Sequence, residues 1–396
     1  MTHSTRSGIL VALATIAFLV LAAEIVLRVA APVADPTRSG AQHVNATNPY
    51  IRFEYPRGYA AVTEVEPGLP GLEGRHFFTT NQYGFRGDSL AVPKPAREYR
   101  VFVVGGSTAE CFYLDDADDM SRVAQNELAA LAGISRVVKV YNVGLSGTAS
   151  DDHVAMIAQR LVHLEPDAIV LLAGVNDLRR SIQGFDYLHY ASHAPPPVPL
   201  YKRVLLSSQI VRRLAYFKRR LDPEPADVLE ARTLESDYAR KIALQNATPG
   251  TDADVLADTT SYRTNLRSIA GIARAHDFDL VFMTHPSSWN SEVDPGVRDF
   301  QWMRVYDGVV YREDTMDAAL ERLNDVMRAV SVEDSIPLCD LARVLPKSRE
   351  YFYDDCHFNR EGARAAGREL AALLATRVLA ASAADVSKED SGERNR

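Results

Sequence analysis

From Tyr99 to the end of the chain, short apolar runs rich in β-branched residues alternate with segments of helical length. This alternation constrains the fold more than any other feature. "YRVFVVGG", "RVVKVYNVG", "DAIVLLAGVND", "DLVFMTHP" and "IPLCDL" read as strands. "DMSRVAQNELAALAG", "SDDHVAMIAQRLVHLEP", "YRTNLRSIAGIARAHDF", "TMDAALERLNDVMRAVS" and "NREGARAAGRELAALLATRVLAA" read as helices. Strands separated by about a dozen or more helical residues predict a parallel sheet with helices on both faces. The unbroken apolar run Ala168–Ala173 fits a strand covered on both sides. Ligands of such sheets bind beyond the carboxyl ends of the strands, where "GGS", "NVG" and "GVND" stand in this chain.

The N-terminus follows a different rule. Gly8 to Ala23, "GILVALATIAFLVLAA", carries no charge, and "EIVLRVAA" extends it past Glu24 and Arg28. A polar face is missing over this stretch, so a helix packed on a soluble core is disfavoured. Residues 1–30 read as a signal anchor or transmembrane helix, or alternatively as a cleaved signal peptide, and the absence of a clear small-x-small cleavage site favours the anchor. Arg6 favours a cytoplasmic N-terminus, with Arg28 and Arg38 acting against that bias. The rest of the chain is then expected outside the cytoplasmic membrane, periplasmic or at the cell surface, or secreted if the segment is cleaved.

Residues 31–98, rich in turn signals, are expected to form an extended segment with one or two short strands that packs on the main domain of residues 99–381. The alternation breaks between residues 184 and 258. That insertion holds "APPPVP", a basic amphipathic stretch from Lys202 to Arg220 and an acidic stretch. It is expected to be a lid over the site, a membrane-surface element or a helix on the core. Residues 382–396 are expected to be a disordered tail. Of 396 residues, 46% are hydrophobic and 24% charged, which describes a folded protein. The net charge of −8 gives no support to nucleic-acid binding.

The residues able to carry chemistry sit at strand ends. Ser107 follows Gly105-Gly106, so it is either a turn residue or a nucleophile at the edge of a sheet. A phosphate-binding loop is disfavoured because the Lys-Ser/Thr pair of the Walker pattern is missing. Asp354 precedes His357 by three residues, "DDCH", close enough for the carboxylate to turn back onto the ring and orient it as a base. Asn359 is a candidate N-cap for the helix that follows. Gly144 can bring backbone N–H groups close to a substrate and Asn176 can offer a side-chain amide, both suited to an oxyanion. Each of these is also a common turn residue.

Taken in order, "GGST" (Ser107), "NVGLSG" (Gly144), "GVND" (Asn176) and "DDCH" (Asp354, His357) resemble the four blocks of the SGNH hydrolase superfamily, the GDSL-type esterases, over roughly residues 99–380. The resemblance implies a flavodoxin-like three-layer α/β/α fold and an ester hydrolase acting on an acylated glycan, lipid or small molecule. It implies Ser107 as nucleophile, His357 as base and Asp354 as its orienter. The oxyanion hole would combine the Ser107 and Gly144 N–H groups with the Asn176 side chain. Neither a metal nor an organic cofactor is required. Gly106 stands where the family's name-giving motif has Asp, as in membrane-anchored bacterial members. An O-acyltransferase acting on cell-surface polysaccharide with the same residues, and a non-catalytic binding protein, are the alternatives.

Secondary candidates are His285 at a strand end, as a pocket residue, and Trp289 and Trp302, which either stack on sugar rings or pack a long loop. Cys111 is expected one turn into the helix after Ser107, as a small apolar group. Cys339 and Cys356 are candidates to pair in an oxidising compartment.

Overall fold

The computed structural model describes residues 3–30, 43–44, 50–51, 53–65, 68–184, 200–205, 207–214, 231–255, 258–292 and 295–390. The chain divides into two compact units, residues 1–43 with 191–236 and residues 44–190 with 237–396.

In the first unit, His3–Ala30 forms a single helix, α1. Its Leu10–Ala30 portion has a mean hydropathy of 2.7 and none of it is buried. That is a helix long and apolar enough to cross a membrane. Residues 200–205 and 209–214 of the insertion are also helical, with Tyr201, Val204, Leu205 and Leu214 exposed. Glu24 of α1 accepts the backbone N–H groups of Gln209 (2.8 Å) and Ile210 (3.1 Å) and the hydroxyl of Ser208 (2.9 Å). These are first-turn donors with no partner inside their own helix. Arg28 pairs with Glu24 at 2.8 Å and donates to the Ser207 carbonyl at 2.6 Å.

The second unit is the expected parallel sheet. Its strands are β3 (Glu98–Gly105), β4 (Val137–Asn142), β5 (Ala168–Leu172), β6 (Asp279–Met283) and β7 (Leu338–Cys339), after a hairpin of β1 (Ala60–Glu64) and β2 (Arg75–Thr79). The spatial order is β7-β6-β5-β3-β4, with every neighbour parallel. Chain order in the sheet therefore reads 2-1-3-4-5, the flavodoxin-like winding, and the direction of travel reverses between β3 and β5.

Strand periodicity assigns the two faces. Phe102 and Val104 enter one buried cluster with α4 (Ser150–Gln159), α5 (Val175–Ile182), α7 (Thr260–His276) and α8 (Glu313–Glu333). Tyr99, Val101 and Val103 enter the other with α3 (Met120–Ala129) and α9 (Arg360–Asp390). Between these, α2 (Ser107–Glu110) follows β3, and α6 (Ala231–Ala247) returns from the insertion.

Residues ahead of Tyr99 enter both clusters, Ile51, Phe85 and Leu90 in one and Val65 and Leu72 in the other. Arg86 is buried and donates to the carbonyls of Glu110, Cys111 and Leu114 and to Asp116, so it holds the turn after α2. The tail differs from expectation. Instead of stopping near residue 381, α9 continues to Asp390, through alanine-rich and charged sequence that sustains a helix; residues 391–396 lie outside the described residues. Much of the Lys202–Arg220 stretch, Phe217 included, also lies outside them.

Candidate active site

The turn from β3 into α2 is shaped by close approach. A Cβ on Gly105 would lie 2.7 Å from both Ala109 Cβ and the Leu172 carbonyl oxygen. A Cβ on Gly106 would lie 2.5 Å from Asn176 Nδ2. That second contact gives a reason for glycine at this position: the Asn176 amide fills the space a side chain would need. Ser107 then opens α2, half-buried, at the carboxyl end of the central strand.

Its hydroxyl meets a histidine from the far end of the sequence. His357 Nε2 lies 2.7 Å from Ser107 Oγ, and His357 Nδ1 lies 2.7 and 2.9 Å from the two oxygens of Asp354. A carboxylate only accepts, so Nδ1 carries the proton and the neutral Nε2 is free to accept from the serine. The backbone N–H groups of Cys356 (3.1 Å) and His357 (2.9 Å) donate to Asp354 Oδ1, which is the tight turn expected from the three-residue spacing. Asn359 closes that turn by accepting from the Gly362 N–H as α9 begins. Burial opposes the imidazolium, but Asp354, Asp355 and Glu110 outweigh it and hold His357 above the usual histidine range.

Four further hydrogen bonds fix the Asp354–His357 loop, and none was visible in the sequence. Trp302 Nε1 donates to Asp354 Oδ2 at 3.2 Å. Asp355, fully buried, accepts from Trp289 Nε1 (2.7 Å) and from the Trp302 (2.7 Å) and Met303 (3.0 Å) N–H groups. Burial, and then the charge of Asp354, push its carboxyl up to about 6. Trp289 and Trp302 thus pack and tie a long loop. The face of Trp302 is covered by Tyr238 of α6, with ring centroids 4.1 Å apart.

The backbone N–H groups near Ser107 differ in what they already bond. Gly144 N–H is already spent on Asn142 Oδ1 at 2.7 Å, and a Cβ on Gly144 would meet Glu110 N at 2.4 Å. Gly144 serves the packing of β4 against α2 and has no free donor. Three residues on, Gly147 adopts φ +77° with open space around it, and its N–H makes no hydrogen bond among the described residues, as is also true of the Ser107 N–H. Asn176, at the start of α5, uses one amide proton on the Thr148 carbonyl at 2.8 Å and keeps the second. That carbonyl would also lie 3.3 Å from a Cβ on Gly106, so Gly147 is drawn close to the turn that carries Ser107. The sequence signal was the second glycine of "NVGLSG".

Glu110 was also missed. It is fully buried one helical turn from Ser107, and its Oε1 accepts from Tyr55 OH (2.5 Å) and Ser146 N–H (3.2 Å). Burial raises it to about 7 against the lowering effect of those bonds and of His357. His285 is buried with Nδ1 on the Pro286 carbonyl at 2.9 Å, and burial lowers it to about 3, so it is held neutral behind the site. Cys111 ends α2 rather than lying within it, at φ 53°, and is buried. All three cysteines are buried and free, so Cys339 and Cys356 do not pair. Asp354, Cys356 and His357 bring potential metal-ligand atoms within 4.8 Å of one another, but Asp354 and His357 Nδ1 are already joined.

A family model described as the GDSL-like Lipase/Acylhydrolase family matches residues 103–365. No curated protein matches the chain. Similar solved structures include an alpha/beta hydrolase enzyme from the metagenome of Lake Arreo, at 14% identity and TM-score 0.39, covering 72% of this chain and 96% of that one. A lipase/acylhydrolase from Enterococcus faecalis has 14% identity and TM-score 0.37, with coverage of 70% and 96%. An acetylxylan esterase from Geobacillus stearothermophilus has 13% identity and TM-score 0.39, with coverage of 72% and 94%.

Proposed function

The chain belongs to the GDSL-like lipase/acylhydrolase family and is a serine ester hydrolase, and from that premise we propose that Ser107, His357 and Asp354 carry out acyl transfer to water. The hydrogen-bond chain from Ser107 Oγ through His357 to Asp354, 2.7 Å at each link, supports this reading. Ser107 Oγ attacks the ester carbonyl while His357 Nε2 takes its proton. Asp354 holds the ring and stabilises the imidazolium. The carbonyl oxygen, now an oxyanion, is received by the Ser107 and Gly147 N–H groups and the Asn176 amide. Collapse expels the alcohol, which takes the proton from His357 and leaves an acyl-serine. Water, deprotonated by His357, attacks that acyl group through the same steps and frees the acid and Ser107.

Hydrolysis of p-nitrophenyl acetate by the full chain, with release of one acetate per nitrophenolate, tests the reaction. A full chain that hydrolyses neither this ester nor acylated sugars would leave a binding protein on the same fold. An acyltransferase would pass the acetyl group to an added sugar acceptor instead of releasing acetate.

We further propose that α1 anchors the chain in a membrane with the hydrolase unit on its extracytoplasmic side. The uncharged, unburied stretch of α1 supports the anchor. The segment docked on Glu24, with Tyr201, Val204, Leu205 and Leu214 exposed, suits a membrane-surface element better than a lid.

A further inference from the structure

We propose that Glu110 is a positioning residue: fixed by Tyr55, it holds the turn Leu145–Thr148 where the Gly147 N–H can receive the oxyanion. This inference rests on the esterase reading above and extends the site to residues ahead of the segment that the family model matches.

The turn is built to present one N–H. Its ends are fastened to the strand that leads to the nucleophile: the Leu145 N–H (2.9 Å) and the Thr148 hydroxyl (3.2 Å) both donate to the Gly105 carbonyl. The Thr148 N–H closes the turn on the Leu145 carbonyl at 3.2 Å, and Gly147, third in the turn, has φ +77°, the mark of a type II turn. The tip, Ser146 and Gly147, has one tether: the Ser146 N–H donates to Glu110 Oε1 at 3.2 Å. Among the described residues, no other N–H of the tip makes a hydrogen bond.

Glu110 is itself held at both ends. Its N–H donates to the Gly106 carbonyl at 3.0 Å, so its backbone moves with the Ser107 turn. Its Oε1 also accepts the Tyr55 hydroxyl at 2.5 Å. Tyr55 is buried with Phe78 and with Leu145 of the same turn, and its ring centroid lies 4.9 Å from that of Phe78. Arg86 donates to the Glu110 carbonyl at 2.9 Å. Tyr55, Phe78 and Arg86 all precede residue 103, where the family match begins.

Apolar packing alone does not call for a carboxyl here. Glu110 is buried one helical turn beyond Ser107, and a buried carboxyl lowers stability where its bonds do not compensate. The bonds it makes join three parts of the site: the nucleophile turn, the turn that carries Gly147 and the segment ahead of both. They set the separation of Ser107 and the Gly147 N–H, which must serve the same tetrahedral carbon and its oxyanion. A misplacement of about 1 Å in such a group can cost about 10²-fold in rate.

The test compares kcat, KM and inhibition by a trifluoromethyl ketone in the unaltered full chain, Glu110→Ala, Glu110→Gln and Tyr55→Phe, on the alkaline plateau where His357 is neutral. Ser107 Oγ adds to the ketone carbonyl and its proton passes to His357, so the hemiketal oxyanion takes the place of the ester's. The expected result for Glu110→Ala is a fall in kcat of about 10–10²-fold at unchanged KM, with the Ki of the ketone raised by a like factor. Glu110→Gln keeps an acceptor for Ser146 and Tyr55 and should recover most of both. Tyr55→Phe, which keeps the ring on Phe78, should lie between.

Equal losses in Glu110→Ala and Glu110→Gln would assign the effect to charge and overturn the positioning role. A folded Glu110→Ala with the parental Ki would overturn it as well, whatever its kcat. Should Glu110→Ala fail to fold, parental kcat and Ki in Tyr55→Phe would overturn the proposal. An unaltered chain that hydrolyses no ester and binds no ketone would overturn the esterase reading instead.

Discussion

Trp302 and Asp354, separated by 52 residues in sequence, are joined by an indole N–H donated to the carboxylate oxygen that also receives His357. Trp302→Phe keeps the stack on Tyr238 and removes the donor. The carboxylate then becomes a stronger acceptor for the imidazolium, so the acid limb of kcat/KM should move to higher pH while kcat falls by up to about tenfold. A purely structural tryptophan would lower activity without moving the pH profile.

The acid limb itself should lie above the pH of about 6.5 at which an unperturbed histidine titrates, because His357 is raised by its carboxylate neighbours. As pH falls, His357 takes up a proton and stops acting as base, so activity falls. Glu110→Gln preserves an acceptor for Tyr55 and Ser146 but removes a negative charge that favours the imidazolium. Its acid limb should shift to lower pH, and a limb that stays in place would show that Glu110 and His357 do not communicate.

The two glycines of "NVGLSG" should respond differently to alanine. Gly144→Ala places a Cβ 2.4 Å from the Glu110 nitrogen and should yield little folded protein. Gly147→Ala meets no atom but is held at φ +77°, at a cost of about 1–2 kcal/mol. It should fold with a lower melting temperature and a reduced kcat. Asn176→Ala should lower kcat by about 10²–10³-fold. Melting curves and kcat on one ester distinguish these outcomes.

These cases mark where the sequence was readable. The strands and the Ser107, Asn176 and Asp354/His357 positions follow from local signals: apolar runs, glycines at strand ends and a three-residue carboxylate–histidine spacing. The distinction between Gly144 and Gly147 depends on where the Asn142 side chain turns, which is set by its burial against Ala109 and Asp119. The short helix α5 was hidden in polar sequence because only Val175, Leu178 and Ile182 among its residues are apolar side chains packed on the core. Helix α6 lacks a strong apolar stripe, and its place comes from Tyr238 on Trp302 and Gln245 on the Gln301 carbonyl. Trp302 reaches Asp354, and Trp289 reaches Asp355, through tertiary contacts alone.

Glu24 ties Ser208, Gln209 and Ile210 of the insertion to α1. Glu24→Ala removes the acceptor for Gln209, Ile210 and Ser208, and residues 200–214 should then be cut faster by added protease in membrane-bound protein. A C-terminal alkaline phosphatase fusion should be active if α1 places the hydrolase unit outside the cytoplasm. Inactive phosphatase, with an active cytoplasmic reporter at the same point, would reverse that orientation.

The most direct test of the central claim is covalent capture of the nucleophile. The full chain is treated with a fluorophosphonate probe, digested and mapped by mass, with p-nitrophenyl acetate hydrolysis followed in parallel. The predicted result is one probe per chain, on the peptide containing Ser107, with hydrolysis lost in step with labelling. Ser107→Ala should take up no probe and lose at least about 10⁴-fold in kcat. A probe carried on another residue, or a Ser107→Ala protein that hydrolyses the ester at the parental rate, would contradict the account.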